Sequence, residues 1–257
     1  MAASRPTILI PSFNTGPLLA ETVEAALSSR FPVKVVIDGS TDGSDAELQR
    51  FEEHPRFTIH RLPNNQGKGA AVLHGLRHAR ADGCTHALTM DADGQHPAAS
   101  IPNFFDWSQR FPEAAIFGKP IFDDSAPALR VNGRKVSNFW ANLETLGWGI
   151  GDSLFGMRLY PINELITTLE ETSFARRFDF DPEVAVRLAW KGVPIVNLPT
   201  PVRYIDAEDG GVSQFRYFRD NTLLTWMHLR LMWGFALRVP WLAFRGENPL
   251  LHLSPPA

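Results

Sequence analysis

The stretch "THALTMDADGQHP", residues 85–97, decides how this chain is read. Its first half, 85–90, is an apolar run of strand length that breaks into turn chemistry at Asp91. Its second half sets Asp91 and Asp93 one residue apart, with Gln95 and His96 following. Two carboxylates that close repel, and one is driven toward protonation unless a cation lies beside them. A divalent ion removes that cost, and hard oxygen ligands suit Mg2+ or Mn2+, with Gln95 adding a neutral oxygen. A solvated turn is the competing reading, since Asp and Gly are common turn residues.

Working outward, the same grammar recurs upstream. TILI (7–10) reads as a strand broken by PSFNTG, and VKVVI (33–37) as a buried strand followed by DGSTDGS. FTIHR (57–61) is a third strand, leading through NNQGKG into a helix near 69–80. Helices are expected at 17–29, at 44–53 with Ser44 as cap and Glu47 as its capping-box partner, and more weakly at 98–109. AAIFG (114–118) continues the pattern. Strands alternating with helices imply a mostly parallel sheet flanked by helices, and such sheets bind ligands outside the carboxyl ends of their strands. Pro11 to Asn14, Asp38 to Ser40 and Asp91 to Gln95 all fall at such ends, so three segments are expected to converge on one crevice.

The alternation weakens after residue 120. A helix is expected at 137–147, a loop feeding a strand at 151–161, a helix at 182–191 capped by Asp181 with Pro182 in its first position, and strands at 193–199 and 201–205. Residues 211–245 hold five arginines and one acid, Asp220, interleaved with Trp226, Trp233 and Trp241. Such a segment suits a membrane interface, where anionic headgroups meet acyl chains. The alternative is a helix packed on the domain with its arginines snorkelling. Residues 246–257 read as a loose tail.

Composition bounds the function classes. The 257 residues, 44% hydrophobic, are enough for one sizeable core with an appendage. A net charge of −3 gives no support for bulk nucleic-acid binding. The single cysteine, Cys84, excludes an internal disulfide framework and fits a reducing compartment. The N-terminal apolar run is too short for a signal peptide, and no apolar stretch reaches the roughly 18 residues of a spanning helix. A cytoplasmic setting is therefore expected.

ILIPSFN, VVIDGSTDGS, NQGKGAAV, MDADGQH, DSLFGMR and GVSQF, in that order, resemble family 2 glycosyltransferases of GT-A fold, and among them the synthases of polyprenyl-phosphate sugars and other lipid-directed members. The resemblance covers most of residues 7–215. It implies a GT-A domain over 1–210, an Arg/Trp-rich helical element facing membrane or acceptor over 211–245, and the tail. It implies an inverting transfer from a UDP- or GDP-linked sugar to a lipid or lipid-linked acceptor, polyprenyl phosphate among them, by a protein peripheral on the inner face of the cytoplasmic membrane. By position, Asp38 resembles the acid that reads the base, with Pro11, Ser12 and Phe13 lining the same pocket; an Asx-turn is the competing role for Asp38. Asp91, Asp93 and Gln95 resemble the metal and diphosphate site. Gly67 and Lys68 would face the diphosphate at a helix N-terminus, although an ordinary turn before a helix has the same glycines. Asp152 resembles the catalytic carboxylate and Arg158 its companion, with Asp179, Asp181 and Glu183 as rival acids.

Two positions depart from the family pattern. Ile37 stands where many members carry a second acid, and Thr15 where polyprenyl-phosphate synthases often carry Glu. Two rivals remain: a sugar-phosphate nucleotidyltransferase, which would show a Gly-rich, Arg-containing loop after the first strand, and an inactive GT-A membrane scaffold, which would have weakened metal ligands. His74 and His78 lie one helical turn apart, but no third ligand is evident in the sequence, and a solvated helix face is the expectation there.

Overall fold

A computed structural model of the chain describes residues 4–122, 128–202 and 217–255, with side chains from 131 and from 218 onward in the last two segments. The GVSQF motif, the boundary near 210 and most of the strand expected at 201–205 lie outside the described residues.

Seven strands form one sheet: β1 (Pro6–Ser12), β2 (Val33–Asp38), β3 (Phe57–Leu62), β4 (His86–Thr89), β5 (Ala115–Ile121), β6 (Arg158–Pro161) and β7 (Ile195–Pro201), in the order β3-β2-β1-β4-β6-β5-β7. All pairings are parallel except those of β6, which runs antiparallel between β4 and β5. Helices α1 (Leu18–Ser28), α2 (Lys68–Ala81), α3 (Ile101–Arg110), α4 (Ala128–Leu143), α5 (Ile162–Glu170), α6 (Phe180–Trp190), α7 (Tyr217–Ala236) and α8 (Val239–Phe244) flank it. The two-residue period of the strands splits the core by face. Ile8, Ile10, Val33, Val35 and Ile37 join α1 and α3, whereas Leu9 and Val36 join α2, α5, α6 and α7. This is the α/β sheet that the sequence implies.

Several elements differ from expectation. The helix expected at 44–53 is a short 3-10 turn, Ala46–Phe51; the Asp42 carboxylate accepts from the Ser44 N–H at 3.1 Å, so Ser44 belongs to a turn. The α6 cap is Asp179 rather than Asp181, and Asp181 and Pro182 lie inside its first turn. Asp179 Oδ1 and Oδ2 reach back to the N–H groups of Arg177 and Ala175 and fix the preceding loop. α4 starts and ends earlier than 137–147, and α5 was absent from the sequence reading altogether. The expected loose tail is docked as far as the structure describes it. Asn248 is buried and donates to the carbonyls of Ile195 and Trp148, and Ser254 Oγ accepts from the Asn197 N–H.

Nor are α7 and α8 appendages to the core: Met227 and Leu231 of α7 and Leu242 of α8 are buried within it. Three arginines of this region pack against the domain, whereas the Arg219 side chain is 51% exposed beside Asp220. Arg230 forms a bidentate pair with Glu183 at 2.9 Å for both bonds, Arg238 lies over Trp190, and Arg245 over Trp148. Several aromatic side chains are exposed, among them Phe218, Trp226, Trp233 and Phe244. No helix among the described residues is long and apolar enough to cross a membrane.

Candidate active site at the carboxyl ends of the strands

The three strand-end segments do converge. The loop after β1 is knitted to the loop after β2: the Asn14 N–H donates to Ser40 Oγ, the Thr41 N–H to Asn14 Oδ1, and the Gly16 N–H to Asp42 Oδ2. Pro11 and Phe13 are half-buried; Ser12 is buried and shares a 2.7 Å hydroxyl contact with Thr15. Asp38, at the end of β2, is 2% exposed, and its two oxygens accept from the backbone N–H groups of Gln66 and Gly67 at 2.8 and 2.7 Å. Asp38 thus holds the NNQGKG loop. That contact leaves each carboxylate oxygen a second lone pair.

The same loop is pinned from the other side. Gly67 has φ +99°, and a Cβ there would meet the Arg176 carbonyl oxygen at 2.1 Å. A Cβ on Gly69 would meet the Ala175 carbonyl oxygen at 1.9 Å. The glycines let α2 start against the 175–176 backbone, so they serve close approach as well as turn geometry.

Lys68, the first residue of α2, then reaches the centre of the site. Its Nζ lies 2.6 Å from Asp91 Oδ1 and 2.6 Å from Asp181 Oδ2. Burial works against the ammonium charge, but Asp181 and Asp91 more than offset it and raise its pKa. Burial likewise opposes the charge on Asp91, while Lys68 and His96 favour it, and the net shift is downward. Asp93 behaves oppositely: burial and then the Asp91 charge push its pKa up to about 6. His96 accepts from the Asp91 N–H through Nδ1 at 3.0 Å, and burial lowers its pKa to about 4, so it shapes the loop as a neutral ring. Gln95 enters through its backbone, donating to Asp93 Oδ1 at 3.1 Å.

The crowding foreseen between Asp91 and Asp93 is therefore present, and a lysine relieves it on the Asp91 side only. The donor set, two carboxylates with one still disposed to hold a proton, fits a hard divalent cation. Gly156 completes the cradle: a Cβ there would stand 2.1 Å from Asp91 Oδ2.

Asp152 is 3% exposed and lies deeper. Its Oδ1 accepts from Arg134 at 2.7 Å and from the backbone N–H groups of Leu154 and Phe155 at 2.9 and 2.7 Å. Arg158 is wholly buried and donates to the carbonyl oxygens of Asp181 and Asp152 at 2.6 and 2.9 Å, with its guanidinium 4.3 Å from the Phe117 ring centroid. It clamps two acid-bearing segments together. Among the rival acids, Asp181 faces Lys68, whereas Asp179 and Glu183 are spent on the loop before α6 and on the arginines of α6 and α7. Two participants were missed in the sequence: Arg134, hidden in an unremarkable helix, and Gly156, whose only signal was its place in the DSLFGMR motif.

Comparison with known proteins follows the same lines. A dolichyl-phosphate beta-glucosyltransferase of Trichomonas vaginalis is 25% identical over 217 residues, 75% of this chain and 62% of that protein, so the chain spans less than two thirds of this relative's length. A polyprenol monophosphomannose synthase of Mycolicibacterium smegmatis is 27% identical over 212 residues, 77% of this chain and 78% of that one. In fold, the chain matches glucosyl-3-phosphoglycerate synthase from Mycobacterium tuberculosis, solved with Mn2+, UDP and glucosyl-3-phosphoglycerate, at a TM-score of 0.66 and 13% identity, covering 90% of this chain and 80% of that one. The Glycosyl transferase family 2 pattern matches residues 7–166, more than half of the sequence. This chain belongs to glycosyl transferase family 2 and has the GT-A fold.

Proposed function

We propose that this protein is a glycosyltransferase that moves a sugar, with inversion, from a UDP- or GDP-linked donor to the phosphate of a polyprenyl-type lipid at the cytoplasmic face of a membrane. The carrying observation is the acidic pair Asp91 and Asp93 set against Lys68 at the start of α2. Asp91 and Asp93 would hold Mg2+ or Mn2+, with Gln95 beside them, and the ion supplies charge neutralisation for the departing diphosphate. Lys68 adds a second positive group on the same side, and Asp38, Pro11, Ser12 and Phe13 form the wall for the base.

The acceptor oxygen attacks the anomeric carbon while the bond from that carbon to the diphosphate oxygen breaks, and its electron pair leaves with the nucleotide. A hydroxyl acceptor would need a base to take its proton. Asp152 is poorly disposed for that task, because Oδ1 already accepts three N–H groups and its side chain is 4% exposed. A lipid phosphate is already anionic and needs no base. Arg134, 20% exposed and bonded to Asp152, is the cation we assign to that phosphate, with Asp152 orienting it. Asp152 thus acts as a positioning residue, and Arg158 holds the segment that carries it. The names of the dolichyl- and polyprenol-phosphate relatives support the same acceptor class.

The test is transfer from a panel of UDP- and GDP-sugars to a polyprenyl phosphate, the corresponding polyprenol and a small phosphorylated acid such as 3-phosphoglycerate. Transfer to the lipid phosphate is expected, abolished by excess chelator and reduced about 100-fold or more in kcat/KM by Asp93→Asn. Preference for the polyprenol or for 3-phosphoglycerate overturns the acceptor assignment, and full speed in chelator overturns the metal.

A further inference from the structure

Away from the donor site, three imidazoles from two elements meet on one side of the sheet. His74 and His78, one turn apart on α2, are joined by His60 of β3, and one ring nitrogen from each lies within 4.8 Å of the others. The rings of His60 and His78 stack with centroids 4.0 Å apart, and those of His74 and His78 are 4.7 Å apart. The third imidazole is invisible in the sequence because it comes from the edge strand on the far side of the NNQGKG loop; the helix face expected to be solvated is exposed at His78 and half-buried at His74. His60 lies in register with Val36, whose side chain faces α2, so the pleat directs His60 to the same side. His60 Nε2 is buried and has no hydrogen-bond partner among the described residues. A buried imidazole nitrogen left without a partner is costly unless something occupies it.

We propose that His60, His74 and His78 form a second cation site, taking Zn2+ or a similar late transition ion through three imidazole nitrogens with water in the fourth position. Imidazole selects such ions, in contrast to the all-oxygen donors at Asp91 and Asp93. Nitrogens on one tetrahedral zinc sit about 3.4 Å apart at Zn–N distances of ~2.1 Å, so closure needs movement of about an ångström. The exposed His78 ring is free to make it. Charge around the cluster is already balanced: Lys34 of β2 pairs with Asp82 at the end of α2, and Arg77 pairs with Glu170 of α5. A dication therefore enters without facing an uncompensated ammonium or guanidinium.

The consequence follows from chain order. His60 precedes the NNQGKG loop and His74 and His78 follow it, so a bound ion ties β3 to α2 across the segment that Asp38 grips and from which Lys68 emerges. The ion is a brace for the donor loop, outside the reacting centre.

The experiment uses the full chain without a polyhistidine tag, with Co2+ as the probe in excess Mg2+ so that the acidic site is occupied. One equivalent of Co2+ is expected to give the visible bands of a nitrogen-ligated ion, displaced by Zn2+, and Zn2+ is expected to raise Tm by about 5 °C. His74→Asn and His78→Asn should each weaken Co2+ binding at least 10-fold, while His252→Asn should leave it unchanged. His78 is exposed, so its variant tests the site without risk to folding. Absence of the visible bands in the unsubstituted chain, or bands that persist at full strength in both His74→Asn and His78→Asn, overturns the proposal.

Discussion

Asp91 takes its geometry from neighbours on three different segments: Lys68 in front, the His96 ring behind its N–H, and Gly156 against Oδ2. The last contact gives a sharp expectation. In Gly156→Ala the new methyl must displace the Asp91 carboxylate, since Gly156 is not at a positive φ and its own backbone accepts a side chain. Transfer should fall about 10- to 100-fold in kcat/KM, while urea denaturation shows a loss of only ~1–3 kcal/mol. Undiminished kcat/KM in Gly156→Ala would show that Asp91 does not need this position. The acids and Lys68 were legible in the sequence because a parallel sheet sends every strand end to one edge, which makes local order a guide to spatial convergence. Arg134 was not legible: its partner Asp152 lies on a loop beyond α4, and nothing in the helix pattern distinguishes it from Lys135.

At the scale of elements, the parallel core was readable from alternation, and the parts that were not have physical causes. β6 inserts antiparallel between β4 and β5, a pairing set by long-range register and not by its own four residues. α5 follows β6 without an intervening loop, so Pro161 ends the strand and stands at the helix N-cap position together, and no turn signal separates the two. The docking of α7 is written in charge. The Glu183 carboxylate is fully buried and accepts from Arg187 at 2.8 Å as well as from both arms of Arg230, whose guanidinium lies 3.5 Å from the centroid of Phe174. Removing Arg230 leaves a buried carboxylate with one partner fewer and strips the packing from Phe174. Arg230→Ala is expected to cost about 3 kcal/mol in urea denaturation, and pairing it with Glu183→Gln should recover part of that loss. A cost within about 0.5 kcal/mol of zero would mean that α7 is held by its apolar contacts alone.

At the scale of the whole molecule, three arginines of the C-terminal region hold it to the domain, and large aromatics are exposed around them. A membrane-interface helix was expected to offer arginines to headgroups, yet Arg230, Arg238 and Arg245 anchor the region to the domain. Large aromatics face outward: Phe218 is 86% exposed, Trp233 72% and Phe244 91%. α4 adds to the same side, since Trp140 lies 6.4 Å from the His228 ring of α7 and Phe139 beside it is 63% exposed. Large exposed aromatics on two adjoining helices are a cost in water that contact with acyl chains removes. Because Arg230 and Arg245 are engaged by the domain while the large aromatics stand exposed, attachment should depend on apolar insertion more than on anionic headgroups. Phe218→Ser with Phe244→Ser is therefore expected to lower partitioning onto vesicles about 10-fold or more, in neutral and anionic vesicles alike, because each buried aromatic ring contributes about 1.5–3 kcal/mol. Transfer to a short-chain, water-soluble lipid phosphate should stay unchanged in the same variant, since the side-chain contacts that build the strand-end site among the described residues are made by other residues. Partitioning that follows headgroup charge and ignores both substitutions would place the membrane contact elsewhere on the molecule.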